Sequence, residues 1–228
     1  MLIFLDTETT GVEKSDKILS IALIAVDGDE VIIKSDLVNE GKKISPKASS
    51  INHITNEMIK GKPALEECET FKFLELNNLY DTTIISHNVN FDLGMLSSNS
   101  SLSWQGKIID TLRCSKHLMP ESEEFSLQYL RYELKLYKHE SEKITPHEAL
   151  SDSRVTKLLY ESLLELAPKE QLEELSTKNV LMQKFEFGKY SGRYIEEISI
   201  IDRGYLEWMV SNIMDLDEDL RYSIEYYL

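Results

Sequence analysis

The chain has 228 residues, 42% hydrophobic and 29% charged, enough for one ordinary domain with a small appendage. Its two cysteines, in no metal-binding or redox spacing, exclude a disulfide scaffold and point to a reducing compartment. A formal net charge of −15 weakens a nonspecific grip on nucleic acid, leaving such a partner to local cationic patches or bound metal ions.

The first apolar run is too short for a signal peptide or membrane span, so a cytoplasmic protein without membrane contact is expected. Residues 2–6 read as a buried strand that runs into Asp6-Thr7-Glu8-Thr9-Thr10-Gly11. Side chains two apart on a strand share a face, so Asp6 and Glu8 stand side by side. Two such charges repel unless a cation lies between them. "ILSIALIAVDGDEVIIKSDLV" gives two further β-rich runs around Asp27-Gly28, a hairpin signal. A loop through "EGKKISPKASSINHIT" follows, then helical spacing from Pro63 to about Leu79.

"TTIIS" is a short fourth strand and "NFDLGMLSSN" a helix; "KIID" is a fifth strand that enters the helix of "TLRCSKHLM". "SLQYLRYEL" is amphipathic, and the apolar periodicity around Tyr129, Tyr132 and Tyr137 predicts that these rings pack in the core. From Ala149 onward, Val155, Leu158, Leu159 and Leu163 trace one face of a long helix. Strands first, then strand and helix in alternation, predict an α/β fold with a mixed sheet covered by helices.

Two later stretches place further acid or imidazole at element edges. Asp92 of "ISHNVNFDLGML" falls in the first turn of a helix that follows a strand. In "PHEALSDSRVTKLL", His147 precedes Asp152 by five residues, which on one helix would set them roughly 140° apart. A shared site therefore needs His147 on the loop and Asp152 at the helix start, as Pro146 favours. Singly, these are surface acids and a surface histidine. Together, four carboxylates and a histidine compose a two-cation site of the hard-metal type, with Mg²⁺ the fitting ion and His147 the fitting base.

"FLDTETTG", "SHNVNFD" and "HEALSD" resemble, in order, the three motifs of the DEDDh 3′–5′ exonucleases of the epsilon-subunit and exodeoxyribonuclease X-like kind. The resemblance runs from Met1 to about Leu166 and fills all five family positions. It implies an RNase H-like fold, a five-stranded mixed sheet flanked by helices. It also implies two Mg²⁺ ions, replaceable by Mn²⁺, held by Asp6, Glu8, Asp92 and Asp152, with His147 taking the proton of the attacking water. Thr7, Thr9, Thr10 and Gly11 would line the terminal nucleotide. "INHITNEMI" is similar to the segment bordering the substrate 3′ end, so His53 and Thr55 become candidate contacts, with Ile54 where the family places glycine. His87 and Asn88 would structure their loop, Asn88 being a further candidate contact.

Composition breaks near Asn179; with the resemblance this implies an exonuclease domain, 1–178, and a small α+β module, 179–228. Lys184, Lys189 and Arg193 alternate with aromatic residues around Gly188 and Gly192, which predicts a hairpin with one basic face, followed by two short helices. Residues 179–193 hold three Lys/Arg against one Glu, although 179–228 as a whole holds five against ten. This segment resembles the small module appended to exodeoxyribonuclease X-like proteins. The expected activity is 3′–5′ exonuclease action on DNA, single-stranded or frayed, releasing nucleoside 5′-monophosphates in repair or proofreading. The alternatives are an exoribonuclease of the same chemistry and a non-catalytic module associated with a DNA polymerase or replication partner.

Overall fold

Leu2–Thr9 forms the central strand β1 because its leading residues are apolar at every position and can be covered from both sides. The computed structural model describes residues 1–228. Strand β1 pairs antiparallel with β2 (Ile18–Asp27), which turns through Gly28, at φ +58°, into antiparallel β3 (Glu30–Leu37). Its other edge pairs parallel with β4 (Thr83–Ser86), and β4 with β5 (Lys107–Asp110). The order β3-β2-β1-β4-β5 is the expected five-stranded mixed sheet.

Helices α1 (Pro46–Asn52), α2 (Glu69–Leu76), α3 (Val89–Asn99), α4 (Thr111–Leu118), α5 (Leu127–Glu133), α6 (Ala149–Leu164) and α7 (Lys169–Leu175) complete this part. Ile3, Leu5, Ile21 and Leu23 cluster with Phe71 and Leu74 of α2 and Leu96 of α3. Phe4, Ile24, Ile85 and Ile109 cluster instead with Leu159 and Leu163 of α6. The two-residue alternation of β1 thus divides its side chains between two helical layers. Truncating Leu5 or Leu159, both fully buried, to alanine would cost about 2–5 kcal/mol.

Two local expectations change in this part. The helical stretch after Pro63 is divided into a short 3₁₀ turn, Leu65–Glu67, and α2; Cys68 between them is extended, and its Sγ accepts from the backbone N–H of Phe71. Tyr132 and Tyr137 are exposed rather than in the core, their ring centroids 5.6 Å apart. The inward positions of α5 belong to Leu130 and Arg131, because Arg131 has a buried acidic partner and a tyrosine at that place would not.

In the tail the predicted hairpin shrinks to one antiparallel bridge, Lys184 with Tyr194, closed by turns in which Gly188 and Gly192 take φ +81°. Three helices follow, not two: α8 (Ile195–Ile201), α9 (Arg203–Asn212) and α10 (Glu218–Tyr227). Helix α8 hides in sequence because isoleucines dominate "IEEISII" and favour strand over helix. Phe185, Ile195, Ile198, Leu206, Met209 and Ile224 form a separate cluster of their own. Arg113 of α4 joins this tail to the sheet through a fork to both oxygens of Asp219, at 2.9 Å each, and a bond to the carbonyl of Lys178. No helix is long and apolar enough to cross a membrane.

Candidate active site

Parity along β1 decides how its end is used. Asp6 and Glu8 continue the row of Phe4, toward α6; Thr7 continues the row of Ile3 and Leu5, toward α3. The pairing of β1 with β2 slips between Glu8 and Thr9, where Glu8 faces Ser20 and Thr9 faces Ile18. Such an irregularity re-aims side chains where regular pairing stops. Asp92 lies in the first turn of α3 and Asp152 in the first turn of α6. Both carboxylates therefore sit near the positive end of a helix dipole.

Each buried acid has its own tether. Asp92, 3% exposed, accepts hydrogen bonds from Thr7 Oγ1 at 2.7 Å and from the Ser86 hydroxyl. Asp152 accepts from the backbone N–H of His147 at 3.0 Å and from Gln128 Nε2 at 2.8 Å. His147 is exposed on the loop before α6, in the left-handed region at φ +59°. The placement required by its offset from Asp152 is the one found. Candidate ligand atoms of Glu8, His147 and Asp152 lie within 4.8 Å of one another.

No lysine or arginine forms an ion pair with Asp6, Glu8, Asp92 or Asp152. Burial, with the charges of Asp92, Asp152 and Glu8, holds Asp6 well above the usual carboxylate range. Burial and then Asp152 and Asp92 push Glu8 up to about 8. Burial raises Asp92 to about 6 against the Ser86 and Thr7 hydrogen bonds, and burial raises Asp152 too. Oxygen donors that repel one another and lack a protein cation fit a divalent metal ion.

The neighbouring candidates divide into scaffold and open surface. The threonines expected to line the terminal nucleotide, through backbone or hydroxyl, have their hydroxyls bonded within the chain: Thr7 to Asp92, Thr10 to Asp16 at 2.6 Å, Thr9 to the carbonyl of Gly11 at 2.5 Å. At Gly11 a Cβ would lie 2.5 Å from the Asp16 carboxylate, so glycine is required there by the fold itself. His53 is exposed at the end of α1, at φ +60°, and Thr55 is half-buried. The residue missed beside them is Asn52, buried, whose Nδ2 donates to the Thr9 carbonyl at 3.0 Å.

His87 is scaffold, as its motif context suggested. Its Nε2–H donates to the carbonyl of Phe125 at 2.8 Å, which leaves Nδ1 of the neutral ring to accept from Thr111 at 3.0 Å. Burial pushes its pKa down to about 4. Asn88, exposed and at φ +73°, donates its backbone N–H to Asp110, as does Val89, at 3.1 and 3.2 Å. Asp110 also caps α4, so one buried carboxylate holds two helix starts. An aspartate before threonine at a strand–helix junction is the cap signal that could have revealed it.

The tail's expected basic face is mostly spent on neighbours. Lys189 pairs with Asp202 at 3.0 Å and Arg193 with Glu197 one helical turn on. Lys184 has no acidic partner and lies 4.7 Å from the ring centre of Tyr194. It lines a cleft of about 850 Å³ between residues 120–127 and 180–194, where two lysines meet four glutamates.

This sheet, with its gathered acids, defines a class. The exonuclease family (RNase T) model matches residues 3–160, and the chain belongs to that family. The exodeoxyribonuclease X-like C-terminal model matches residues 185–214. The chain is 29% identical over 232 residues to exodeoxyribonuclease 10 of Escherichia coli (strain K12), spanning 100% of this chain and 99% of that protein. It is 30% identical over 167 residues to DNA polymerase III subunit epsilon of Treponema pallidum (strain Nichols), spanning 70% of this chain and 74% of the relative. The solved structure of exonuclease X in complex with 5′ overhanging duplex DNA is similar with TM-score 0.63 and 26% identity, over 77% of this chain and 99% of that one. Escherichia coli exonuclease I with a dA16 oligonucleotide shares the fold, with TM-score 0.56 and 21% identity over 76% of this chain and 42% of that one.

Proposed function

We propose that this exonuclease removes nucleotides singly from the 3′ end of DNA, single-stranded or frayed, releasing nucleoside 5′-monophosphates. The observation that carries the reading is the convergence of four carboxylates from β1, α3 and α6, none paired with lysine or arginine, beside His147. Asp6, Glu8, Asp92 and Asp152 would hold two Mg²⁺ ions, with Mn²⁺ as a substitute. When bound, such ions neutralise the scissile phosphate and acidify water.

The chain's own contribution is placement and proton transfer. Thr7 and Ser86 fix Asp92, and the His147 backbone fixes Asp152 while the imidazole stays exposed to take a proton. Asn52 pins the Thr9 carbonyl, which keeps the backbone of Thr9–Gly11 in place beside the acids. His53, Thr55 and Asn88 remain the surface groups best placed for the terminal nucleotide, and Lys184 the best placed tail cation for a phosphate. The reading keeps residues 1–178 as the nuclease unit and 179–228 as the appended one, in a cytoplasmic setting. Resemblance to an epsilon subunit supports a DNA polymerase as protein partner.

The test uses matched DNA and RNA oligonucleotides labelled at the 5′ end, with Mg²⁺, Mn²⁺ or chelator. Metal-dependent shortening of DNA from the 3′ end, absent in Asp6→Asn, is expected. Shortening of RNA alone moves the substrate to the second nucleic acid; no shortening of either, or full activity in Asp6→Asn, overturns the assignment.

A further inference from the structure

Asp152, like Asp92, has both carboxylate oxygens taken by neutral donors, but only at Asp152 is one of those donors an amide. Oδ2 accepts from the His147 backbone at 3.0 Å, and Oδ1 accepts from the side-chain amide of Gln128 at 2.8 Å. A glutamine amide has a donor end and an acceptor end of nearly equal shape, so something must decide which end meets the carboxylate. Here Arg131 decides it. Its Nη1 donates to Gln128 Oε1 at 3.1 Å, which leaves only the amide N–H₂ to face Asp152.

Arg131 is in turn fixed. Its Nε and Nη2 fork onto the two oxygens of Glu140 at 2.5 and 2.8 Å, and the two side chains are only 9% and 10% exposed. A buried bidentate pair of this kind is rigid, since breaking it strands a charge in low dielectric. Glu140 also ends the 3₁₀ turn Leu136–His139 and begins the loop that carries His147. The same pair therefore anchors both the amide behind Asp152 and the base of the histidine's loop.

We infer that Gln128, oriented by Arg131 and Glu140, is a positioning residue that holds the Asp152 carboxylate in its metal-binding orientation beside Glu8 and His147. Gln128 touches neither substrate nor metal; it acts through Asp152. The amide is neutral, so it fixes the carboxylate's direction while leaving its full negative charge for a cation. Arg131, if it reached Asp152 directly, would compete with the metal for that charge. Interposing glutamine separates orientation from neutralisation. Outer-shell hydrogen bonds of this sort commonly change metal affinity or activity by about 10–100-fold. The inference rests on the nuclease reading above.

The experiment compares wild type with Gln128→Met, which keeps side-chain length and removes the donor, and with Gln128→Ala as a second foldability check. Mn²⁺ binding to protein without DNA is followed by paramagnetic resonance, kcat and KM on a 5′-labelled single-stranded DNA, and folding by thermal melting in chelator. Expected in both variants are a Mn²⁺ affinity weakened by about tenfold or more and a comparable fall in kcat at subsaturating metal. The KM for DNA and the metal-free melting temperature should stay near wild type. Unchanged Mn²⁺ affinity overturns the proposal, as does a loss confined to KM or one that tracks a drop in melting temperature. A wild type that binds no Mn²⁺ would instead strike the nuclease reading itself, and a wild type that binds Mn²⁺ and cuts DNA while Gln128→Met does both equally well strikes only Gln128.

Discussion

The strand ends around Asp6 and the C-terminal tail are both rich in acid, yet they treat charge in opposite ways. At the sheet, Asp6, Glu8, Asp92 and Asp152 crowd together; burial raises all four pKa values, the charges of Asp92 and Asp152 add to the rise at Asp6 and Glu8, and none forms an ion pair with lysine or arginine. In the tail, Lys189, Arg193 and Arg203 each take an acid within about a turn or in the next loop, at Asp202, Glu197 and Glu207. Exposed pairs of the second kind contribute little to stability, generally up to about 1 kcal/mol, and leave little field outside the molecule. An acid cluster without cations is costly unless a ligand relieves it. The contrast separates a site from a scaffold better than the number of charges does.

The sharpest way to break the contrast is to remove a charge from the crowded side. Asp6→Asn is expected to lower hydrolysis by about 10⁴-fold or more, since metal-borne stabilisation of several kcal/mol is lost. The same change should raise the melting temperature in chelator at pH 8, because a buried carboxyl that is costly to ionise among other acids is gone. An active Asp6→Asn, or one less stable without metal, would place the acids in a structural role.

His147→Ala is expected to slow turnover by about 10²–10⁴-fold while Mn²⁺ binding, read without DNA, stays largely intact. A parallel loss of metal affinity would make the imidazole a ligand rather than a base.

Proton linkage gives the next effect, with opposite signs in two places. Glu8 ionises near 4.5 when unfolded and at about 8 when folded. Its stabilising contribution is complete below pH 4.5 and is lost as pH rises toward 8. Metal-free protein should therefore lose stability from pH 6 to pH 8, and Mn²⁺ should raise the melting temperature more at pH 8 than at pH 6. His87 works the other way. Its pKa falls from 6.5 to about 4 on folding, so its contribution is present above pH 6.5 and is lost as pH falls to 4. That loss is on the order of 3 kcal/mol, and it should be absent in a folded His87→Gln. Melting curves across this range, with and without chelator, check both limbs.

The smallest effects belong to the tail. Lys184→Gln should weaken single-stranded DNA binding a few-fold and reduce the salt slope by roughly one. Lys189→Gln and Arg193→Gln, each losing a partner already neutralised, should change affinity less than about twofold. Equal and large losses for all three in a fluorescence titration would restore the continuous basic face that alternation in sequence suggests.

Local pattern was enough to determine the five strands, most of the helices, the side-by-side acids of β1 and the loop position of His147. Those features follow from periods of two and 3.6 residues and from the reach of proline over its neighbours, all short-range effects. Tertiary structure alone decided what those residues meet. Thr7 reaches Asp92 across 85 positions and Asn52 reaches Thr9 across 43, and nothing near either residue specifies the partner. It likewise turned Arg131 inward and Tyr132 outward, by supplying Glu140 where a charge could be paired, and it spent the tail's cations on acids that folding brought close. Periodicity states which face a side chain occupies; only packing of distant segments states what lies opposite, because that depends on how whole layers come together.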